Sequence, residues 1–129
     1  MFREAAFTKQ EYSDRRRRLA VELEKDSVGV LAGRVHTGAF YIFRQNNEFF
    51  YLCGVDVPQS YLLIEGQAGE ATLYLPGRDA KLERSEGAVL NSDDPDSARE
   101  ETGVEHVRNY YQLAKDLSGC KLIYTPLAP

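Results

Sequence analysis

Apolar residues in this chain fall into short clusters separated by polar or glycine-containing breaks, and the clusters change period along the sequence. The first carries helical spacing. Thr8 and Glu11 form a T-x-x-E capping box, in which each side chain can satisfy the other residue's free backbone N–H. Tyr12, Leu19 and Leu23 then share one face, with Arg15 or Arg16 closing the gap in the stripe, and Asp26-Ser27 ends the predicted helix. The arginine run from Arg15 to Arg18 lies mid-helix, where about 100° per residue distributes the four side chains around the cylinder. With Glu11 and Asp14 one turn before Arg15 and Arg18, the run reads as a solvated helix face.

Strand-like runs follow. Val28 to Gly33 is apolar and bounded by turn signals, as a buried strand is. Arg34 to Ala39 reads as a loop. Phe49 to Cys53, Ser60 to Glu65 and Glu70 to Leu75 predict three strands joined by short turns, hence an antiparallel meander. Apolar residues on both sides of Tyr61 to Ile64 predict that this strand is central. From Arg78 to Thr102 the chain turns polar and acidic, and Asn91 to Asp96 is a loop by composition. Ser97 to Glu100 repeats the capping-box pattern and predicts a short helix stopped by Gly103. Val104 to Val107 predicts a strand, Asn109 caps a helix that Gly119 closes, and Lys121 to Tyr124 is the last strand. Together these elements predict an α/β fold, a mixed β-sheet with an antiparallel meander flanked by helices.

Composition narrows the function classes. The chain has 129 residues, 43% hydrophobic and 28% charged, which suits one globular domain. A net charge of −4 argues against nucleic acid as a partner. No apolar run nears the roughly 18 residues of a membrane span, and MFREAAFTKQ lacks a signal-peptide core. Cys53 and Cys120 fit neither a CxxC pair nor a disulfide framework, so a reducing cytoplasm is the expectation.

Candidate chemistry is sparse. His36 and His106 are the only histidines, and no HExxH or EF-hand spacing occurs. His106 reads as a half-exposed strand residue, while His36 lies in a loop, where binding residues concentrate. Cys53 reads as a small buried hydrophobe. Asp93, Asp94 and Asp96 lack the glycine and terminal glutamate of a calcium loop. No catalytic or metal-ligating set emerges. The unusual segment is Phe43 to Gly54, where Arg44, Gln45, Asn46, Asn47 and Glu48 stand directly before an aromatic run. It suits either a polar turn before an edge strand or a loop of fixed hydrogen bonds at a domain or subunit boundary.

That segment carries a resemblance. An aromatic residue, Arg44-Gln45-Asn46, an acidic residue, Phe49-x-Tyr51-Leu52, a small residue and Gly54, with Pro58 soon after, resembles the N-terminal domain of the Xaa-Pro aminopeptidases (aminopeptidase P). Tyr12 with Arg15-Arg16-Arg17 and Leu19 is similar to that family's first helix, Gly77-Arg78-Asp79 to its Arg-Asp step, and Glu101-Thr102-Gly103-Val104 to a later region. The resemblance implies a creatinase/prolidase N-terminal-domain-like fold with a ribonuclease H-like motif. Residues 1–125 would be a non-catalytic domain, and 126–129 the start of a linker to an absent metallopeptidase domain.

It further implies a parent enzyme that removes an N-terminal residue preceding proline. Two manganese ions would sit in the parent's C-terminal domain, with no cofactor in this piece. The implied partners are the chain's own catalytic domain, further copies in a dimer or tetramer, and proline-containing peptides for the parent. Nucleic acid and membrane are not among them. The N-terminal domain would support assembly and shape substrate access. Its edge is expected at residues 34–47 and near Arg78 and Asp79, giving His36, Arg44, Gln45, Asn46, Asn47, Phe50, Tyr51, Arg78 and Asp79 as candidates. Related readings are the N-terminal domain of a prolidase, that of a creatinase, or an inactive peptide- or partner-binding module such as the one in the large subunit of the FACT histone chaperone.

Overall fold

The structure, a computed structural model, describes residues 8–33, 46–86 and 89–126. Helix α1 (Lys9–Glu22) begins where its capping residue dictates: Thr8 Oγ1 accepts the Glu11 N–H at 3.2 Å. Strand β1 (Ser27–Ala32) follows, then α2 (Asn47–Cys53), β2 (Tyr61–Glu65) and β3 (Ala71–Leu75). The remaining elements are α3 (Ala80–Glu86), α4 (Pro95–Thr102), β4 (His106–Asn109), a 3-10 turn at Tyr110–Gln112, α5 (Leu113–Ser118) and β5 (Leu122–Tyr124).

The five strands form one mixed sheet in the order β4-β3-β2-β1-β5. β2 is antiparallel to both neighbours, with Leu31 opposite Leu62 and Leu62 opposite Leu73. β4 runs parallel to β3 and β5 parallel to β1. Four strands therefore point one way and β2 alone points the other, in the centre, as its apolar run predicts. Period-two alternation divides the side chains between two layers. Leu31, Leu62, Ile64, Ala71, Leu73 and Leu75 face the larger core with Ala20, Phe49, Leu52 and Ala98 from α1, α2 and α4. Val28, Val30, Leu63 and Tyr74 face a smaller layer beneath Tyr110, Leu113 and Leu117. Phe49 is fully buried, which alone is worth about 1.5–3 kcal/mol.

Several expectations are corrected. Phe49 to Cys53 is the body of helix α2, not a strand: Phe49, Leu52 and Cys53 are buried at i, i+3 and i+4 spacing, and Gly54 closes the helix at φ +68°. The antiparallel meander is consequently β1-β2-β3, with α2 inserted between its first two strands. α1 stops at Glu22, short of Asp26-Ser27, because the Leu23 N–H already turns back to the Ala20 carbonyl. The fourth helix starts earlier than Ser97: the Asp94 carboxylate caps it, accepting the Ser97 N–H, and Pro95 opens it, where a missing N–H does no harm. Gly103 stops it as expected. The strand expected at Val104 to Val107 lies later, at His106–Asn109, because Val104 is drawn into the core. α3 arises within the stretch read only as polar.

The arginine run is not wholly solvated either. Arg16 is 1% exposed and occupies the gap in the α1 stripe between buried Tyr12 and Ala20. Its Nη1 donates to the Leu52 carbonyl at 2.9 Å and its Nη2 to the Gly103 carbonyl at 3.4 Å.

A polar link ties α5 to the sheet. Tyr74 Oη donates to Asp116 Oδ2 at 2.7 Å, and Asp116 also pairs with Arg108 Nε at 2.9 Å. Burial first, and then the bond to Asp116, push the Tyr74 phenol above its ordinary range. The folded state thus favours the neutral phenol. Its contribution is complete below the unfolded value of about 10 and is lost as pH climbs toward the raised folded value, at up to about 1.4 kcal/mol per pH unit. Urea unfolding at pH 8 and pH 11 should show Tyr74→Phe losing less stability over that interval than the unsubstituted chain. An equal loss would remove Tyr74 as the source.

Candidate functional site

Because β1, β3, β4 and β5 run the same way, their carboxyl ends emerge at one end of the sheet. Loops at such an end are where open α/β sheets place ligand and partner contacts. Ala32 and Leu75 end β1 and β3 there, separated by the start of β2, so the two leaving loops begin about 10 Å apart. Of the candidates among the described residues, Asn46 precedes α2, Asn47, Phe50 and Tyr51 lie on it, and Arg78 and Asp79 follow β3.

On the β1 side, Asn46 precedes α2 in extended conformation, and its Nδ2 donates to the Ala32 carbonyl at 3.0 Å, fastening the helix start to the strand end. Asn47 is the exposed first residue of α2. Phe50 and Tyr51 lie on its outer face, 38% and 53% exposed. The Arg15 guanidinium sits 4.1 Å above the Tyr51 ring centroid and 5.3 Å from that of Tyr12, and its Nη1 donates to the Tyr51 carbonyl at 3.0 Å. Stacking on an aromatic face and donation from the guanidinium edge suit arginine and not lysine. Beneath this patch Gly54 turns back under Tyr12. A Cβ there would lie 2.7 Å from Tyr12 Cζ, so glycine meets both the positive φ and the close approach. His36, Arg44 and Gln45 lie outside the described residues.

On the β3 side, the Arg78 backbone N–H donates to Asp93 Oδ2 at 2.8 Å, and its Nε reaches both Glu83 carboxylate oxygens at 2.9 Å. Asp79 Oδ1 accepts the Lys81 N–H at the start of α3. The bond to Glu83 is the main reason the Arg78 guanidinium holds its proton more firmly than usual. Arg78 and Asp79 thus organise their own loop. Arg78 and Asp79 meet Asp93, Glu83 and Lys81, while Tyr51 on α2 meets Arg15.

Sequence reasoning misses one participant: nothing local sets Arg15 apart from a solvated run, because its partner, the candidate Tyr51, stands 36 positions away. The local signal for Tyr51 was the helical period of Phe49, Leu52 and Cys53, which leaves Phe50 and Tyr51 outward. The other candidates for chemistry have structural duties. Cys53 is buried with its Sγ 3.3 Å from the Phe49 carbonyl, Cys120 Sγ lies 3.5 Å from the Asp116 carbonyl, and His106 Nε2 meets Glu70 Oε1 at 2.8 Å in the open. Among the described residues no three of His, Cys, Asp and Glu converge as a metal site would need, so they do not fit a two-metal centre. Among those residues, too, no helix is long and apolar enough to cross a membrane.

Comparison with known proteins agrees with the fold. A family model described as "Aminopeptidase P, N-terminal domain" matches residues 12–122. Intermediate cleaving peptidase 55 of Saccharomyces cerevisiae is 37% identical over 86 residues, covering 60% of this chain and 17% of that protein. Xaa-Pro aminopeptidase 3 of Rattus norvegicus is 31% identical over 101 residues, covering 64% and 20%. The Xaa-Pro aminopeptidase of Haemophilus influenzae is 30% identical over 92 residues, covering 67% and 21%. Among solved structures, zinc-substituted aminopeptidase P of E. coli in complex with product superposes with a TM-score of 0.77 at 24% identity, over 92% of this chain and 29% of that one. The chain therefore spans about a fifth of the length of these curated relatives.

Proposed function

The chain belongs to the aminopeptidase P N-terminal domain family, and from that premise we propose that it is the non-catalytic N-terminal domain of a longer Xaa-Pro aminopeptidase. In this reading the parent enzyme removes an N-terminal residue preceding proline, and this domain supports subunit assembly and shapes the way in for the peptide. What carries the reading is the extent of the likeness. Almost the whole chain matches the family's N-terminal domain, yet it spans only about a fifth of relatives that bear the peptidase name.

The catalytic centre, and the two manganese ions proposed for it, belong in this reading to the parent's remaining sequence. A bound metal pair would polarise the scissile carbonyl and lower the pKa of water. Among the described residues no ligand set converges that would hold it. A cytoplasmic location and a dimeric or tetrameric parent complete the proposal. In this reading the chain contributes Asn46 at the start of α2, Phe50 and Tyr51 on that helix, and Arg78 and Asp79 after β3.

The test compares the 129-residue chain with the parent, each supplied with manganese and an Xaa-Pro peptide. Hydrolysis is expected from the parent alone. In the parent, Asn46→Ala releases the start of α2 from Ala32 and should raise KM about two-fold or more, or shift the assembly toward smaller species on sizing. Turnover by the 129-residue chain alone would overturn the non-catalytic assignment. A parent without activity, capturing peptides all the same, would favour the binding-module reading.

A further inference from the structure

We propose that Tyr110 and Tyr111 form a docking platform for proline-containing peptides, holding the stretch beyond the bond that the parent peptidase cuts. This rests on the reading above and deepens it, because it gives the domain a direct contact with the substrate.

Tyr111 is 79% exposed, more than any other large apolar or aromatic side chain among the described residues. Its ring leans on that of Tyr110, with centroids 4.4 Å apart and planes 33° from parallel. Tyr110 in turn packs beside Tyr61 against the smaller layer of the sheet, so the pair has a floor. A hydrogen bond between the two phenols is the main reason Tyr110 holds its proton more firmly than usual. A ring stacked on a ring, with its other side in water, keeps an aromatic face that the core does not use.

The pair is held stiffly, and at the relevant end of the sheet. Tyr110–Gln112 is the turn that leaves the carboxyl end of β4. Asn109 fixes it: its Oδ1 accepts the Tyr111 N–H at 3.0 Å, and its Nδ2 donates to Ser92 Oγ at 2.9 Å. The Ser92 N–H donates to the Pro76 carbonyl at 3.0 Å, and the adjacent Asp93 holds the Arg78 N–H. The tyrosine turn is thereby tied to the loop leaving β3, one of the two loops assigned above to the peptide's way in. Tyrosine has two χ angles, so a pair on a bonded turn loses little further freedom on binding.

Chemistry selects the occupant. Two adjoining tyrosines present flat apolar faces edged by hydroxyls. Proline rings dock on such aromatic surfaces, and a polyproline II segment leaves its carbonyls free to accept from tyrosine hydroxyls. That segment is extended before it binds, so a small ordering penalty opposes even a shallow contact. Arg108 and Asp116, which flank the turn in sequence, pair with each other at 2.9 Å, so the platform makes no call for a charged ligand.

The 129-residue chain can be titrated with a proline-rich dodecapeptide and with a glycine-serine peptide of equal length, followed by NMR. The Tyr110 and Tyr111 signals should move with the first peptide and stay with the second. Tyr111→Ala should weaken the contact about three- to ten-fold, while Tyr111→Phe, which keeps the ring, retains most of it. So exposed a position tolerates both changes, and an unaltered thermal midpoint checks this. In the parent, Tyr111→Ala should raise KM by the same factor for a long peptide with prolines beyond the cut bond. Turnover number and tripeptide hydrolysis should be unchanged, as for a contact made equally in ground and transition states. Equal shifts with the glycine-serine peptide, or an unaltered KM in a parent that still cuts Xaa-Pro bonds, would overturn the inference and leave the functional reading intact. Tyr111 signals that move on dilution alone, or with an oligosaccharide and not the proline peptide, would put a second copy or a sugar there and also overturn it. Proline-peptide binding by the chain, beside a parent without peptidase activity, would uphold the docking site and overturn the functional reading instead.

Discussion

Arg16→Ala should cost about 3–5 kcal/mol of folding stability, a large share of a margin of about 5–15 kcal/mol for the whole domain. The guanidinium is 1% exposed and spans two helix carboxyl ends, donating to the Leu52 carbonyl in the last turn of α2 and to the Gly103 carbonyl that ends α4. Both carbonyls belong to the group that a helix leaves unpaired at its end, and both sit at the negative pole of the helix dipole. Burial makes the charged form of Arg16 less favourable than in water, while Cys53 and Glu105 work in the opposite direction. Alanine would remove both donors and leave a void where the side chain lay.

Arg16→Met separates the contributions, because it restores most of the volume without the donors and should recover part of the loss. Arg17→Ala, one position along the same helix, is the surface control at about 0.5 kcal/mol or less. Urea unfolding at pH 7 decides it: a shift in midpoint below about 1 kcal/mol for Arg16→Ala would mean that the two helix ends do not depend on this bridge.

Gly66→Ala should be at least as damaging, by about 3 kcal/mol or more. An added Cβ would lie 2.2 Å from the Glu24 carbonyl oxygen and 2.8 Å from Ser27 Oγ. The first of these is backbone and has no side-chain freedom with which to retreat. The turn between β2 and β3 is pressed onto the link between α1 and β1 through the Gly66 N–H to the Ser27 carbonyl and the Gln67 N–H to the Ala20 carbonyl. Gln67 Nε2 adds contacts to the carbonyls of Val21 and Leu23. Moving the turn outward by the ångström or so that a Cβ requires would strain four hydrogen bonds together. Gly119→Ala, which meets nothing within 4 Å, is the neutral reference. Thermal unfolding of the three proteins under one buffer should show Gly66→Ala lowered by about 10 °C or more and Gly119→Ala within a few degrees. Comparable midpoints would show that the α1–β1 link yields freely.

Most of the framework was legible where the signal was local. Thr8, Gly103 and Asn109 cap as their side chains or backbone freedom require, and the runs at β1, β2, β3 and β5 are short, apolar and bounded by turn residues. The centrality of β2 followed from apolar residues on both of its faces. Legibility failed where two local signals competed. Phe49, Phe50 and Tyr51 have the composition of a strand, but the burial of Phe49, Leu52 and Cys53 has the period of a helix, and the tertiary contact decided between them. It failed again where a partner is remote. Arg16 reaches residues 36 and 87 positions away, and the stripe of the first helix offers Arg15 and Arg16 alike for its gap, so the fold alone decides which is buried. Of the candidate site, Asn46, Asn47, Phe50 and Tyr51 share one helix as neighbours in sequence must, whereas the stacking of Arg15 on Tyr51 needed the fold.

The sheet also sets an order of assembly. β1 meets β2 and β2 meets β3 within about fifty residues, but Ser27 waits for Leu122 before the parallel β1–β5 pair can close. Closing so long a loop carries an entropic penalty that the three-residue strand β5 repays only once α1 and the meander are in place. On a ribosome, β1 therefore spends the synthesis of nearly the entire domain as an open border. The parallel β1–β5 pair closes only when this last strand has left the exit tunnel.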